Sequence, residues 1–258
     1  MSGRPVVLIT GAGTGVGAAS AFWFAGRGHD VLVNYRASAA PAEEVVAACR
    51  AAGADAVAVQ GDVAIDADCR RLAGEAMARW GRIDVLINSA GTTLFRSMAD
   101  LEALDAEDFG RLYQINTVGP YQMVRAVEPH MRDRGGSIVN VSSLAALNGT
   151  GSSYAYAAAK GALNTLTLAL ARNLAPKIRV NALLPGMIQG RWVREGLGDE
   201  AYERVRDRFA GDAALGVVAT PEQVAATVGW LATEAVLMTG QLMTLDAGLL
   251  LGRPPRVE

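Results

Sequence analysis

Cysteine is scarce in this chain of 258 residues. Cys49 and Cys69 stand in no ligand or redox spacing, which excludes a disulfide scaffold and a thiolate metal cluster. They read as free thiols on surface helices in a reducing compartment. Histidine is equally sparse: His29 and His130 lie far apart, each beside an expected helix end, where capping explains them and a metal site does not. Charge of one sign is also missing. The 24 basic and 26 acidic side chains give a net charge of -2, so the basic footprint of a nucleic-acid binder is absent. No apolar run reaches the ~20 residues that span a bilayer, and no charged-then-apolar leader precedes the first strand. The expectation is a soluble, cytoplasmic protein whose partner is a small molecule, with neither nucleic acid nor membrane involved.

What the chain does have is alternation. Short apolar runs at Val6–Ile9, Val31–Tyr35, Ala56–Val59, Val85–Ile87, Ser137–Val141, Ile178–Leu183 and Leu242–Leu245 read as strands covered on both faces. Helical stretches fall between them, including a long one over 106–134 that contains Asn116 and is kinked at Pro120 and Pro129. Strands alternating with helices predict an α/β fold with a parallel, doubly wound sheet and right-handed crossovers. No linker or repeat interrupts residues 1–258, so one domain is expected. The segment 187–218 lacks a strand and reads as a lid at the ligand edge of the sheet, with Trp192 and Phe209 either covering the site or anchoring the lid.

Two features suggest chemistry. Gly11, Gly13, Gly15 and Gly17 separate the first strand from the first helix, so backbone N–H groups can approach a phosphate at the positive helix end. The second strand ends in Tyr35 and Arg36, where an acidic residue would hold a free ribose hydroxyl. An arginine there suits a 2′-phosphate, favouring NADP(H) over NAD(H). Farther on, Tyr156 and Lys160 lie one turn apart in an alanine-rich helix. A phenol titrates near 10 when free, and a neighbouring ammonium favours its ionised form. Lowering it by roughly 3 units takes about 4 kcal/mol, more than one exposed pair supplies. Further positive charge and partial burial are therefore required.

From Val6 to about Gly252 the chain resembles the short-chain dehydrogenase/reductase family. The matching motifs are Thr10-Gly11-x-x-x-Gly15-x-Gly17, Asp62-Val63, Asn88-Ser89-Ala90-Gly91, Asn116, Ser143, Tyr156-x-x-x-Lys160 and Pro185-Gly186. The resemblance implies a Rossmann-like domain with a seven-stranded parallel sheet. It implies that Tyr156 is the general acid/base, that Ser143 hydrogen-bonds the substrate oxygen, and that Lys160 holds the nicotinamide ribose and acidifies Tyr156. Asn116 would hold a relay water. Gly11, Thr14, Gly15, Val16 and Gly17 would shape the pyrophosphate site, with Tyr35 and Arg36 at the ribose. Asp62 and Val63 would face adenine. Asn88, Ala90 and Gly91 would support the cofactor, and Pro185, Gly186 and Ile188 would contact the carboxamide. A homotetramer built on the Asn116 and Tyr156 helices is likewise implied.

This sequence departs from the family pattern at Ser89, usually Asn; at Thr14, often basic in NADP(H) users; and at Gly190, usually Thr, so that one carboxamide hydrogen bond is either missing or replaced by Gln189. The implied activity is NADP(H)-dependent interconversion of a carbonyl and a secondary alcohol, as in 3-oxoacyl-carrier-protein reductases. The alternatives are an NAD(H)-dependent sugar or polyol dehydrogenase, and a non-catalytic NADP(H)-binding redox sensor.

Overall fold

The computed structural model describes residues 3–252, so the ends of the expected 1–258 domain lie outside the described residues. In chain order the elements are β1 (Val6–Thr10), α1 (Gly15–Ala25), β2 (Asp30–Tyr35), α2 (Ala39–Ala51), β3 (Ala56–Gln60), α3 (Asp66–Trp80), β4 (Val85–Asn88), α4 (Ala106–Tyr113) and α5 (Gly119–Met131). They continue as β5 (Gly136–Val141), α6 (Ala145–Asn148), α7 (Tyr154–Leu174), β6 (Ile178–Pro185), α8 (Arg191–Leu197), α9 (Asp199–Asp212), α10 (Pro221–Thr233) and β7 (Leu242–Leu245). Every strand pairing is parallel, and the order is β3-β2-β1-β4-β5-β6-β7. The order reverses direction between β1 and β4, which opens a crevice above their carboxyl ends. The doubly wound, seven-stranded architecture read from the sequence is the one observed.

Two apolar layers sandwich the sheet. One joins α1, α2 and α10 through Phe24, Val45, Val46, Val228 and Leu231. The other joins α3 and α5 through Leu72, Trp80, Met123, Val127 and Met131. Both cysteines lie in these layers, fully buried. Their helices do lie on the surface of the fold, but each thiol points inward, and burial pushes Cys49 up to about 11 and Cys69 to about 12. Thr220 begins α10 with a complete capping box, and Pro221 takes a first-turn position where no N–H is needed.

The expected long helix is broken. Between α4 and α5 the backbone widens into a π-turn over Gln114–Val118, where the Gly119 N–H reaches the Gln114 carbonyl. Asn116 is its fully buried centre, and its side-chain Nδ2 donates to the Leu112 carbonyl one turn back, at 2.9 Å. An amide that competes for backbone partners loosens an α-helix at that point. Pro120 follows in the first turn of α5, so it starts a helix rather than bending one, while Pro129 is accommodated inside α5. The helix closes at Met131, before the expected 134.

Candidate active site

The glycine loop works by two opposite kinds of spacing. A Cβ on Gly17 would run into the Gly11 carbonyl and come within 2.8 Å of the Ala12 Cα, and one on Gly11 would meet the Ala90 Cα at 2.7 Å. These two let α1 and the loop after β4 close onto the turn. Gly15 differs: its φ of +57° favours glycine, and nothing lies within 4 Å of the Cβ it lacks. Thr14 stands at the N-cap without a side-chain bond, and no acidic residue occupies the first turn of α1. The positive end of an eleven-residue helix therefore faces open space, which fits a pyrophosphate. Val16 and Ile188 are partly buried and both pack against the α1 side of the core.

Buried polar side chains hold this loop in place. Asn34 Oδ1 accepts the Gly11 N–H at 3.2 Å while its Nδ2 donates to the Gly61 carbonyl at 3.0 Å, tying the turn to the end of β3. Thr10 Oγ1 accepts from the Ser89 and Ala90 N–H groups at 3.1 and 3.0 Å. Asn88 turns its amide inward, donating to Asn140 Oδ1 at 2.9 Å, and Asn140 donates to Thr167 Oγ1 on α7 at 2.9 Å. Asn88 thus supports the loop Ser89–Gly91 from beneath. Asn34, Asn140 and Thr167 were not singled out from the sequence; the available signal was a polar residue inside an otherwise apolar strand or helix face.

At the adenosine end, Tyr35 closes β2 and Arg36 projects into solvent, its side chain 67 % exposed and 3.7 Å from Asp62. Asp62 also accepts the Ala64 N–H at 2.9 Å. Val63 departs from its expected orientation. Its side chain is buried in the space left by Gly119, 3.2 Å from where a Cβ would stand, so only its backbone is left for an adenine.

The chemistry-bearing groups converge where β5 meets α7. Ser153 caps α7 by accepting the Tyr156 N–H at 3.2 Å, which fixes the first turn and hence the phenol. The Ser143 hydroxyl stands close enough to the Tyr156 phenol to favour its ionised form. Lys160 is buried, its Nζ 5.8 Å from the Tyr156 ring centroid and donating to the Val141 carbonyl at 2.8 Å. Burial pushes the Tyr156 phenol up to about 12, against the lowering effect of Ser143, and pulls Lys160 down to about 8. Burial thus leaves Tyr156 a protonated donor at neutral pH.

Asn116 clamps the neighbouring loop, accepting the Thr92 N–H at 3.2 Å and donating to the Thr92 carbonyl at 2.9 Å. A Cβ on Gly91 would stand 3.0 Å from Asn116 Oδ1 and 3.8 Å from Lys160 Nζ. Asn116, Gly91 and Lys160 are therefore neighbours. Pro185 is buried and its carbonyl accepts the Leu144 N–H at 2.9 Å, joining the end of β6 to the Ser143 loop, while the Gly186 N–H donates to Leu245 at 3.0 Å.

The segment 187–218, expected as a lid, is stitched at its base. Ile188 bridges to Ala219, the Gln189 N–H donates to the Ala219 carbonyl at 2.8 Å, and Gln189 Nε2 reaches the Val218 carbonyl at 3.3 Å. Gln189 is therefore engaged with the lid rather than free to replace the family threonine, and Gly190 has an open setting at φ +152°. Trp192 stands across Tyr156, ring centroids 6.4 Å apart at 70°. Phe209 instead lines a small cavity with Met187, Ala213 and Val217, so it anchors the lid. Among the described residues no group of three or more His, Cys, Asp or Glu is placed to hold a metal ion, and no helix is long and apolar enough to cross a membrane.

A parallel sheet reversing at β1/β4, an open helix end beneath a glycine turn, and a Ser-Tyr-Lys cluster at the same edge define a nucleotide-dependent oxidoreductase. The family model described as enoyl-(acyl carrier protein) reductase, a short-chain dehydrogenase model, matches residues 11–250. The chain belongs to the short-chain dehydrogenase/reductase family, and is an NAD(P)-dependent oxidoreductase acting on CH–OH or C=O groups.

Among its relatives, a crystal structure of a candidate short-chain dehydrogenase/reductase from Burkholderia xenovorans superposes with a TM-score of 0.90 at 45 % identity, covering 98 % of this chain and 100 % of that one. A candidate ketoacyl reductase 2 of the granaticin polyketide synthase, from Streptomyces violaceoruber, is 36 % identical over 95 % of both chains. The L-rhamnose 1-dehydrogenase (NAD(P)(+)) of a Sphingomonas species is 34 % identical, covering 94 % of this chain and 95 % of its own.

Proposed function

We propose that this protein is an NADP(H)-dependent reductase of ketones, or dehydrogenase of secondary alcohols, in which Tyr156 is the general acid/base. The observation that carries this reading is the convergence of three groups: the Tyr156 phenol has Ser143 beside it and a buried Lys160, held by the Val141 carbonyl, 5.8 Å from its ring centroid. Tyr156 Oη donates its proton to the substrate oxygen as negative charge develops there, and Ser143 Oγ holds the same oxygen in place. Lys160 stabilises the phenolate left behind and offers its remaining N–H groups to ribose hydroxyls. The cofactor, when bound, supplies the hydride. Asn116 holds the Gly91–Thr92 loop beside Lys160, and its Oδ1 has a second lone pair to offer a relay water. Gly11, Thr14, Gly15, Val16 and Gly17 bind the pyrophosphate, the backbone at Asp62 and Val63 meets adenine, and Ile188 meets the nicotinamide. The whole forms one domain with a lid at 187–218.

Preference for NADP(H) rests on Arg36, whose partner Asp62 is weakly engaged at 3.7 Å and yields readily to a 2′-phosphate. Arg36→Ala is expected to raise KM for NADPH about tenfold and to leave KM for NADH within twofold, measured by initial rates across a panel of ketones. Equal effects on both cofactors would favour the NAD(H)-dependent sugar or polyol dehydrogenase, a reading kept open by the NAD(P) use named for the Sphingomonas relative. Binding without turnover on any ketone would favour the redox sensor.

A cytoplasmic homotetramer completes the reading. Phe109 and Tyr113 on α4, Tyr121 on α5 and Leu168 on α7 are each 42–48 % exposed, apolar side chains suited to contact with symmetry mates. Light scattering is expected to give four times the 26.9 kDa chain mass; a monomer would remove this element.

A further inference from the structure

The lid helix α8 carries a side chain whose position the core does not explain. None of its seven residues is buried, and it is bracketed by Gly190 at φ +152° and Gly198 at φ +79°. Two contacts with the body fix its placement over the site. Trp192 stands across the Tyr156 ring, and Phe95, from the loop after β4, sits in the notch left by Gly196, where a Cβ would come 2.9 Å from Phe95 Cζ and closer still to the ring edge. The Phe95 loop is itself tied down: Arg96 N–H donates to the Ser152 carbonyl at 2.8 Å, Thr93 and Ser152 share a hydroxyl hydrogen bond, and the Tyr154 hydroxyl donates to the Met98 carbonyl at 2.7 Å. The helix is therefore docked through aromatic rings, and half of the Trp192 surface, 50 %, stays open.

The two arginines of α8 are already paired with carboxylates. Arg191 pairs with Glu195 at 3.1 Å, and Arg194 pairs with Asp199 and Glu203 at 2.8 and 3.0 Å while lying over Tyr202. Arg96 donates from its guanidinium to the Phe95 carbonyl at 3.1 Å. An anionic substrate gains little from side chains so engaged, whereas an uncharged ring system gains an open indole face beside the proton donor. We propose that Trp192 is a specificity-determining residue that selects neutral substrates with an aromatic ring next to the reacting carbonyl, stacked on the indole. This deepens the reading of the site as a carbonyl reductase and rests on it.

The test compares 1-tetralone with 1-decalone, the same carbon skeleton without the aromatic ring, using whichever of NADPH or NADH the wild-type protein oxidises. The wild type is expected to favour 1-tetralone by about tenfold in kcat/KM, the size of one aromatic stacking contact. Trp192→Leu, which keeps an apolar side chain, is expected to erase that preference chiefly through KM for 1-tetralone, bringing the ratio of kcat/KM for the two ketones to within twofold of one. Trp192→Phe is expected to restore most of it. Loss of activity on both ketones alike in Trp192→Leu, no preference in the wild type, or full activity of the variant on 1-tetralone overturns the proposal. Failure of the wild type on both ketones overturns it too. Turnover of other carbonyl compounds in the same assay would then leave the reductase reading standing, and failure on every carbonyl compound would end both.

Discussion

Tyr156→Phe is expected to lower kcat/KM for carbonyl reduction about a thousandfold, within the range that a positioned proton donor supplies. The substitution removes one oxygen. It leaves the ring against Trp192 and the Ser153 cap on α7 in place, so cofactor binding and the thermal midpoint are expected to change little. The pH profile gives a second check. Burial raises the Tyr156 phenol to about 12, so in the unliganded protein it stays protonated through the neutral range. Reduction, which needs the protonated form, is expected to hold steady from pH 6 to 9. Alcohol oxidation needs the phenolate and is expected to climb over the same interval. Turnover by the Phe variant within tenfold of wild type would remove Tyr156 as the acid/base.

Lys160→Met is expected to do two opposite things: reduce activity by more than a hundredfold and raise stability at neutral pH. Lys160 is 4 % exposed and donates to the Val141 carbonyl, and burial draws it from 10.5 to about 8. At 1.36 kcal/mol per unit, keeping that ammonium inside the folded protein costs about 3 kcal/mol. The sign follows from proton binding. Below pH 8 both folded and unfolded chains carry the charge, and the cost is present in full. Between pH 8 and 10.5 the unfolded chain binds more protons, so wild-type stability rises with pH and the cost fades. Methionine avoids the penalty but leaves the Val141 carbonyl without its donor, worth about 1 kcal/mol. A net gain of about 2 kcal/mol shifts the midpoint of a chain this size by roughly 4–8 °C. Thermal melts of both proteins at pH 7 and pH 10 check it. A lower midpoint for the variant at pH 7 would show that the buried ammonium is not a burden on the fold.

Which parts of this site were legible in the sequence follows from how local each signal is. The Tyr156–Lys160 spacing is fixed by helix geometry alone, and the glycine turn by the short distance between β1 and α1; both were readable. The seven strands were readable because each is a short run dominated by apolar residues. Asn34, Asn140 and Thr167 were not, because their partners at Gly11, Asn88 and Asn140 are brought close only by strand pairing and by α7 packing on the sheet. Val63 illustrates the same limit: its orientation depends on the gap at Gly119, 56 residues away in the chain. The cysteines were placed on the correct helices, but which face each thiol occupies is decided by the sheet beneath. The sequence places Asn116 inside one long helix, whereas its side chain is held by Thr92, which lies on another loop and is brought near only by the fold.

That widened turn has a geometric consequence. In a regular helix each residue advances by about 100°, so the face turned inward near residue 108 dictates which face is inward near residue 124. Inserting the five-residue turn Gln114–Val118 resets the phase. The α4 end is thereby free to pack on α7 while the α5 end packs on α3, and a single rod of chain serves two neighbours whose directions were never matched.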